Sequence, residues 1–170
     1  AGEHGVPVLL HTGFSPFPHS MTEPPYYDPK SLEAVVQAYD GRHGAPRVDF
    51  VLAHVGQGDA RAMEHCLDMA AEHDNVWLEL SAITRPLLID AEGQAVEEPA
   101  PMHTYVLSEI KDRGLVERAI YATDGPQYFG KEQSYLQQLV TAMTDLDYTH
   151  EDLTAVLAGN FYDCFQPPRP

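Results

Sequence analysis

Residues 6–13, VPVLLHTG, decide the fold, because they have the pattern of a buried strand that ends at a histidine. A short apolar run leads to His11, and Gly5 and Gly13 mark turns on either side of it. We therefore predict a strand here, with the imidazole of His11 at its carboxyl end.

The same pattern occurs twice more along the chain. Residues 48–56, VDFVLAHVG, lead through an apolar run to His54, and residues 119–126, AIYATDGP, end at Asp124. Open α/β sheets and (β/α)8 barrels both place their active sites at the carboxyl ends of parallel strands. We therefore expect His11, His54 and Asp124 to point at one shared site.

Helical patterns alternate with the strands. Strands are predicted at about residues 6–11, 48–54, 75–81 and 118–123, and helices at about 29–39, 60–73, 102–114, 132–144 and 151–159. Asp28, Asp59 and Thr149 stand where N-caps are expected. This alternation implies an α/β fold of parallel (β/α) repeats with right-handed crossovers. No internal boundary is visible, so residues 1–170 are predicted to form one domain.

The net charge of −16 limits the partners of the chain. A nucleic acid or an anionic membrane surface needs a basic protein face, so neither is expected to bind. A metal cation, or a small-molecule substrate that is neutral to cationic, is more compatible with this charge. No apolar stretch is long enough to cross a bilayer, and no signal peptide is visible. Cys66 and Cys164 are isolated, so we predict buried, reduced thiols and a cytoplasmic location.

Two imidazoles and a carboxylate form a ligand set that suits Zn²⁺. A bound metal lowers the pKa of its water toward ~7 and polarises a carbonyl, and an adjacent carboxylate can take the proton. For a single histidine at a strand end, a hydrogen-bonded structural role is the alternative. The combination of His11, His54 and Asp124 at three strand ends favours a shared metal site.

Several other polar residues are weaker candidates. Glu79 and Ser81 share one face of the strand NVWLELS, where they could hydrogen-bond a metal ligand or be plain polar residues of the interior. Arg85 could bind a substrate carboxylate or form a surface ion pair. His19 and His103 are expected to be solvated.

At these residues the sequence resembles the second half of the amidohydrolase-related family, which belongs to the amidohydrolase superfamily of TIM barrels. The motifs PVLLHTG, FVLAHVG, NVWLELS and YATDGP match strands five to eight of that barrel in order and spacing, and LAGNFYDCF is similar to its closing helix. The resemblance covers nearly the whole chain. It implies that the chain is the C-terminal half of a (β/α)8 TIM barrel.

The resemblance also implies roles for the strand-end residues. His11 would be a metal ligand, and Asp124 would be both a metal ligand and the general base. His54 would bind a second metal or stand beside the reacting carbonyl. The usual metal of the family is Zn²⁺, with Mn²⁺ or Fe²⁺ in some members. The implied activity is hydrolysis, in which a metal-activated water attacks an amide, ester or lactone carbonyl.

The sequence departs from the family in two respects. It has no His-x-His pair, and the first four βα units of the barrel are absent. A half-barrel leaves two open strand edges, so we expect pairing with an N-terminal half or with a second copy. The opening residues AGEHGVP resemble the last turn of a helix with Gly5 as its cap, which suggests further chain upstream.

Two other functions are open at this stage. A decarboxylase of the same fold would release CO2, whereas a hydrolase would release a carboxylate or an alcohol. A non-catalytic α/β module, in which the strand-end residues are structural, would fold stably without binding metal.

Overall fold

A computed structural model describes residues 1–14, 23–42, 44–125 and 129–165 of the chain. Four strands form one sheet in the order β1-β2-β3-β4, and each neighbouring pair is parallel. The strands are β1 (Val8–Gly13), β2 (Phe50–Gln57), β3 (Val76–Glu79) and β4 (Ala119–Ile120). The predicted α/β fold of parallel repeats is therefore confirmed.

Helices separate the strands in the chain. They are α1 (Pro24–Tyr27), α2 (Glu33–Ala38), α3 (Ala60–Glu72), α4 (His103–Asp112), α5 (Lys131–Asp145), α6 (His150–Thr154) and α7 (Asn160–Phe165). Three-residue-per-turn helices lie at Gly2–His4, Pro29–Leu32 and Val116–Arg118, and a π-helical turn joins α6 to α7 at Ala155–Gly159. No helix in these ranges is both long and apolar enough to cross a membrane.

The predicted helix caps are confirmed. The Asp28 side chain accepts a hydrogen bond from the Lys30 amide, and the Asp59 side chain accepts bonds from the amides of Arg61 and Ala62. Each carboxylate satisfies peptide N–H groups that the first turn leaves without a partner in the helix. As a result, the short helix Pro29–Leu32 and helix α3 each begin directly after a capping aspartate.

The sheet has two different faces. On one face, Leu52 and Leu78 are fully buried and pack against the helices, as part of the main hydrophobic core. On the other face, Val51, Trp77 and Ile120 form a smaller cluster with Cys164 of α7. Both faces of the central strands are apolar, which is why their sequences are continuous hydrophobic runs.

The closing helix is fixed to the sheet by Asn160. Its side-chain amide donates hydrogen bonds to the carbonyl oxygens of Val116 and Ala119, each at 2.7 Å. Val116 begins the short helix before β4 and Ala119 begins β4, so the asparagine joins the start of α7 to the amino edge of the sheet.

Candidate active site

A cavity of about 480 Å³ lies against the sheet face that carries Val51 and Ile120, which we call the inner face, and reaches the carboxyl edge of the sheet. His11, His54 and Asp124 all line it, as the strand pattern predicted. The other lining residues are Leu9, Val51, Ala53, Glu79, Ser81, Ile120, Tyr121, Ala122, Phe161 and Phe165. A volume of this size suits a small organic molecule, and the mainly apolar wall with a few polar groups is typical of a ligand site.

The sheet register explains how these residues meet. His11 pairs with Ala53, Ala53 with Glu79, and Glu79 with Ile120, so these positions form one level across the sheet. His54 comes one residue later, at the point where β2 turns. Because the strands are parallel, their carboxyl ends deliver these side chains to the same edge.

His54 is buried, and its ring makes a hydrogen bond through Nδ1. Its Nδ1 lies 2.7 Å from the Ser81 hydroxyl oxygen, and that hydroxyl donates a hydrogen bond of 2.8 Å to Glu79 Oε2. Burial, and then the neighbouring His11, lower the pKa of His54 to about 4. At neutral pH the ring is therefore uncharged, which is the form that can bind a metal or accept a proton.

His11 is bound differently. Its Nε2 lies 3.2 Å from the carbonyl oxygen of Gly13. A carbonyl only accepts hydrogen bonds, so Nε2 carries the hydrogen in this contact, and in a neutral ring the lone pair is then on Nδ1. The rings of His11 and His54 meet edge to face, with centroids 4.9 Å apart. Two imidazoles from neighbouring strands therefore stand together at the cavity wall.

Glu79 is a buried carboxylate with three hydrogen-bond donors around it. The amides of His54 and Ser81 donate to it at 3.1 and 3.0 Å, in addition to the Ser81 hydroxyl. Burial raises the pKa of Glu79, and the hydrogen bonds from Ser81 and His54 oppose that rise. Of the two roles that the sequence left open for Glu79 and Ser81, contact with a predicted metal ligand is the one observed.

The backbone is strained at the strand ends. His54 and Asp124 have φ angles of 72° and 59°, and Val55 has a φ of 45°. This left-handed region is unfavourable for side chains other than glycine, most of all for a β-branched one. Strain of this kind persists only where the surroundings fix it, and such residues are often found at functional sites.

Asp124 lies beside two cationic side chains. Arg85 Nη2 and Lys131 Nζ each approach its Oδ2 to 3.9 Å. Lys131 is only 3% exposed, lies over the ring of Tyr135, and its Nζ has no hydrogen-bond partner in the described part of the chain. The sequence interpretation missed Lys131. The available signal was a lysine at the amino end of α5, where the helix dipole disfavours a positive charge.

The metal ligands stay a prediction. Among the described residues, one group brings three ligand atoms within 4.8 Å of one another, and it is Glu33, Glu72 and His73 rather than the predicted set. Glu33 in that group is already paired with the Lys30 ammonium at 2.6 Å. The predicted set fits a divalent cation in its chemistry, because a neutral imidazole offers one nitrogen lone pair and Asp124 supplies a carboxylate.

Of the other histidines considered, His103 lies in a different groove from this cavity. His103 is half-buried in a groove between α4 and α5, and its pKa is lowered by burial. His19 lies outside the described residues. Cys66 and Cys164 are free and buried, and burial raises the pKa of each thiol to about 12. Both cysteines therefore behave as the small buried residues that the sequence predicted.

Comparison with known proteins places this geometry in context. Residues 1–161 match the amidohydrolase family. A solved structure of a probable 2-pyrone-4,6-dicarboxylic acid hydrolase from Acinetobacter baumannii, with citric acid bound, has a TM-score of 0.54 and 14% identity, over 95% of this chain and 52% of that one. A protein from Pseudomonas putida, provisionally given the same activity, has a TM-score of 0.57 and 19% identity, over 96% and 53% of the respective chains.

The similarities to the two solved structures concern the fold alone. At such identities the two solved structures share the fold with this chain, and the chain spans about half of their length. No curated protein sequence matches it.

Proposed function

This chain belongs to the amidohydrolase family, and from that premise we propose that it is the catalytic half of a metal-dependent hydrolase acting on an ester, lactone or amide carbonyl. The observation that supports this proposal most directly is the position of His11, His54 and Asp124. The three side chains come from β1, from β2 and from the segment after β4, and they line one cavity.

The proposed metal ligands are the same three residues. His11 through Nδ1, His54 through Nε2 and Asp124 through its carboxylate would hold a divalent cation, with Zn²⁺ the first choice and Mn²⁺ or Fe²⁺ the alternatives. A cation bound there supplies a Lewis acid that polarises the substrate carbonyl and acidifies water.

The residues of the chain perform the proton transfers. Asp124 accepts a proton from the attacking water, the water oxygen forms a bond to the carbonyl carbon, and the bond from that carbon to the leaving oxygen or nitrogen breaks. Asp124 then returns the proton to the leaving atom, so that an ester or lactone gives a carboxylic acid and an alcohol. Leu9, Val51 and Ile120 on the cavity wall pack against the apolar part of the substrate and exclude bulk water.

We further propose that the substrate carries a carboxylate. Arg85 lies beside Asp124, with its Nη2 3.9 Å from Oδ2, and a guanidinium can bind a carboxylate with two parallel hydrogen bonds. The two similar structures are named as hydrolases of a dicarboxylic acid, which supports the same class of substrate.

The first test measures metal content in the full chain after dialysis, by inductively coupled plasma mass spectrometry. We expect close to one divalent metal ion per chain, and loss of most of it in His11→Ala, His54→Ala and Asp124→Ala. His150→Ala, an exposed histidine of α6 outside the cavity, is the matched control and should keep its metal. If the metal content of all four variants equalled that of the wild type, the ligand assignment would be wrong.

The second test measures turnover with 2-pyrone-4,6-dicarboxylic acid and simpler lactones as probes, following ring opening by absorbance and CO2 release separately. We expect ring opening without CO2, and a fall of about 10²-fold or more for Asp124→Asn, as loss of a general base implies. Release of CO2 would identify the decarboxylase instead, and unchanged ring opening in Asp124→Asn would exclude it as the base.

A further inference from the structure

The cavity wall contains a chain of three polar side chains, His54, Ser81 and Glu79, whose hydrogen bonds run in one direction. We infer that Ser81 and Glu79 are positioning residues that fix His54 in the tautomer protonated at Nδ1, so that His54 acts through Nε2. The inference deepens the proposed function, on which it rests, by stating which atom of His54 takes part and what sets it.

The direction of the chain follows from donor and acceptor counting. Glu79 accepts hydrogen bonds from two peptide amides, those of His54 at 3.1 Å and Ser81 at 3.0 Å, which an ionised carboxylate satisfies best. The Ser81 hydroxyl therefore donates its only hydrogen to Glu79 Oε2, at 2.8 Å. Its oxygen is left as an acceptor for the remaining contact, at 2.7 Å from His54 Nδ1.

A neutral imidazole has one N–H, and this contact assigns it to Nδ1. The lone pair is then on Nε2, on the far side of the ring from Ser81. His11 shows the opposite assignment, because its Nε2 donates to the Gly13 carbonyl. The two rings, with centroids 4.9 Å apart, thus present different nitrogens, each chosen by a different neighbour.

Glu79 fixes the backbone of His54 as well as its ring. The carboxylate accepts a hydrogen bond from the His54 amide. The φ angle of His54 is 72°, a left-handed conformation that is unfavourable for a non-glycine residue. Glu79 and Ser81 lie two positions apart, which puts both on the inner face as β3 ends. Residues 79–81, ELS, therefore orient both the backbone and the ring of His54 on the neighbouring strand β2.

The test is long-range ¹H–¹⁵N NMR of the full, uniformly ¹⁵N-labelled chain, freed of metal with a chelator, at about pH 7.5, where an uncharged ring is expected. The His54 signals are identified by their loss in His54→Gln. We expect Nδ1 to show the shift of a protonated nitrogen and Nε2 that of an unprotonated one. Ser81→Ala should move the tautomer ratio about five-fold toward Nε2–H, as loss of one hydrogen bond implies.

The controls separate positioning from folding. Ser81→Thr retains the hydroxyl and should retain the wild-type ratio, and the His11 signals should stay unchanged in every Ser81 variant. Glu79→Gln gives a second route, should Ser81→Ala unfold, and is expected to shift the ratio in the same direction. A wild-type His54 protonated on Nε2, or the same ratio in wild type and Ser81→Ala, would overturn the inference. Because the readout needs neither metal nor turnover, failure of this test can be distinguished from failure of the hydrolase proposal.

Discussion

Gly13 lies at a position beside the site where there is no space for a side chain. It ends β1 with a φ of 86°, and a Cβ built there would lie 2.1 Å from the amide nitrogen of Gln57 and 2.3 Å from the carbonyl carbon of Gly56. Since both neighbours are backbone of β2, neither can yield without moving the strand that bears His54. We predict that Gly13→Ala lowers the free energy of unfolding by about 3 kcal/mol or more, because steric overlap adds to the cost of the φ angle.

Gly93 provides a control matched in conformation. It has a φ of 81°, and no atom lies within 4 Å of the position of a Cβ. Gly93→Ala should therefore lower the free energy of unfolding only through the unfavourable backbone angle, by about 1 kcal/mol. The comparison is made by urea unfolding followed by circular dichroism. Equal losses in the two variants would show that β1 and β2 are less tightly joined than the structure indicates.

Single residues also show what sequence reasoning can reach. His11, His54 and Asp124 were predictable as neighbours, because each ends an apolar run and parallel strands bring such ends together. Lys131 was not, because its approach to Asp124 depends on how α5 packs after β4. The hydrogen bonds of Glu79 were equally hidden, since alternation places a side chain on a face without naming its partner on the next strand.

Among the elements, α6 depends on its capping box. The Thr149 hydroxyl accepts a hydrogen bond from the Asp152 amide, and the Asp152 carboxylate accepts from the Thr149 amide and hydroxyl. Thr149→Ala removes the hydroxyl contacts, so we predict a loss of about 1 kcal/mol in the free energy of unfolding near neutral pH. Thr154→Ala replaces an exposed threonine at the end of the same helix whose side chain makes no capping hydrogen bond, and should change it by less than about 0.5 kcal/mol.

This effect should depend on pH. The hydrogen bonds from the Thr149 amide and hydroxyl lower the pKa of Asp152, so the folded state binds its proton more weakly than the unfolded chain does. The stabilisation is present above the unfolded-state value of about 4 and is lost as pH falls through the folded-state pKa. Chemical unfolding at about pH 7 and pH 3 should therefore show a smaller gap between wild type and Thr149→Ala at the lower pH. A gap that widened in acid would contradict the capping role.

The elements were predictable in kind and order but less so in their ends. The strand expected at residues 118–123 pairs only as Ala119–Ile120, because β4 has β3 as its one partner in the described sheet and β3 ends at Glu79. The helix expected at residues 151–159 continues through a π-helical turn into α7. A search for the 3.6-residue period of an α-helix does not identify a turn of this kind, because its hydrogen bonds run from residue i to residue i+5 over a few residues only.

At the scale of the whole molecule, the dominant feature is an inner sheet face that exposes apolar side chains in the part of the chain that the structure describes. Leu9 on the edge strand β1 is 63% exposed, and Phe161 and Phe165 of α7 are partly exposed along the same cavity. The two similar solved structures have chains about twice as long, so the surfaces of one further set of four strands would cover this face in a full barrel. A second copy, with β1 of each chain beside β4 of the other, would continue the parallel order.

We therefore predict that the chain forms a dimer, with a mass twice the 18.9 kDa of one chain in light-scattering measurements. Each copy carries a net charge of −16, so repulsion opposes an otherwise apolar association. Raising the salt from about 0.02 to 0.5 M shortens the screening length from roughly 20 to 4 Å and should increase the dimer fraction. Leu9→Glu should leave a monomer at all salt concentrations, whereas Val35→Glu on the outer helix α2 should leave the dimer intact. A wild-type monomer in high salt at concentrations of about 100 μM would contradict self-association and would leave the inner face to be covered by a different set of strands.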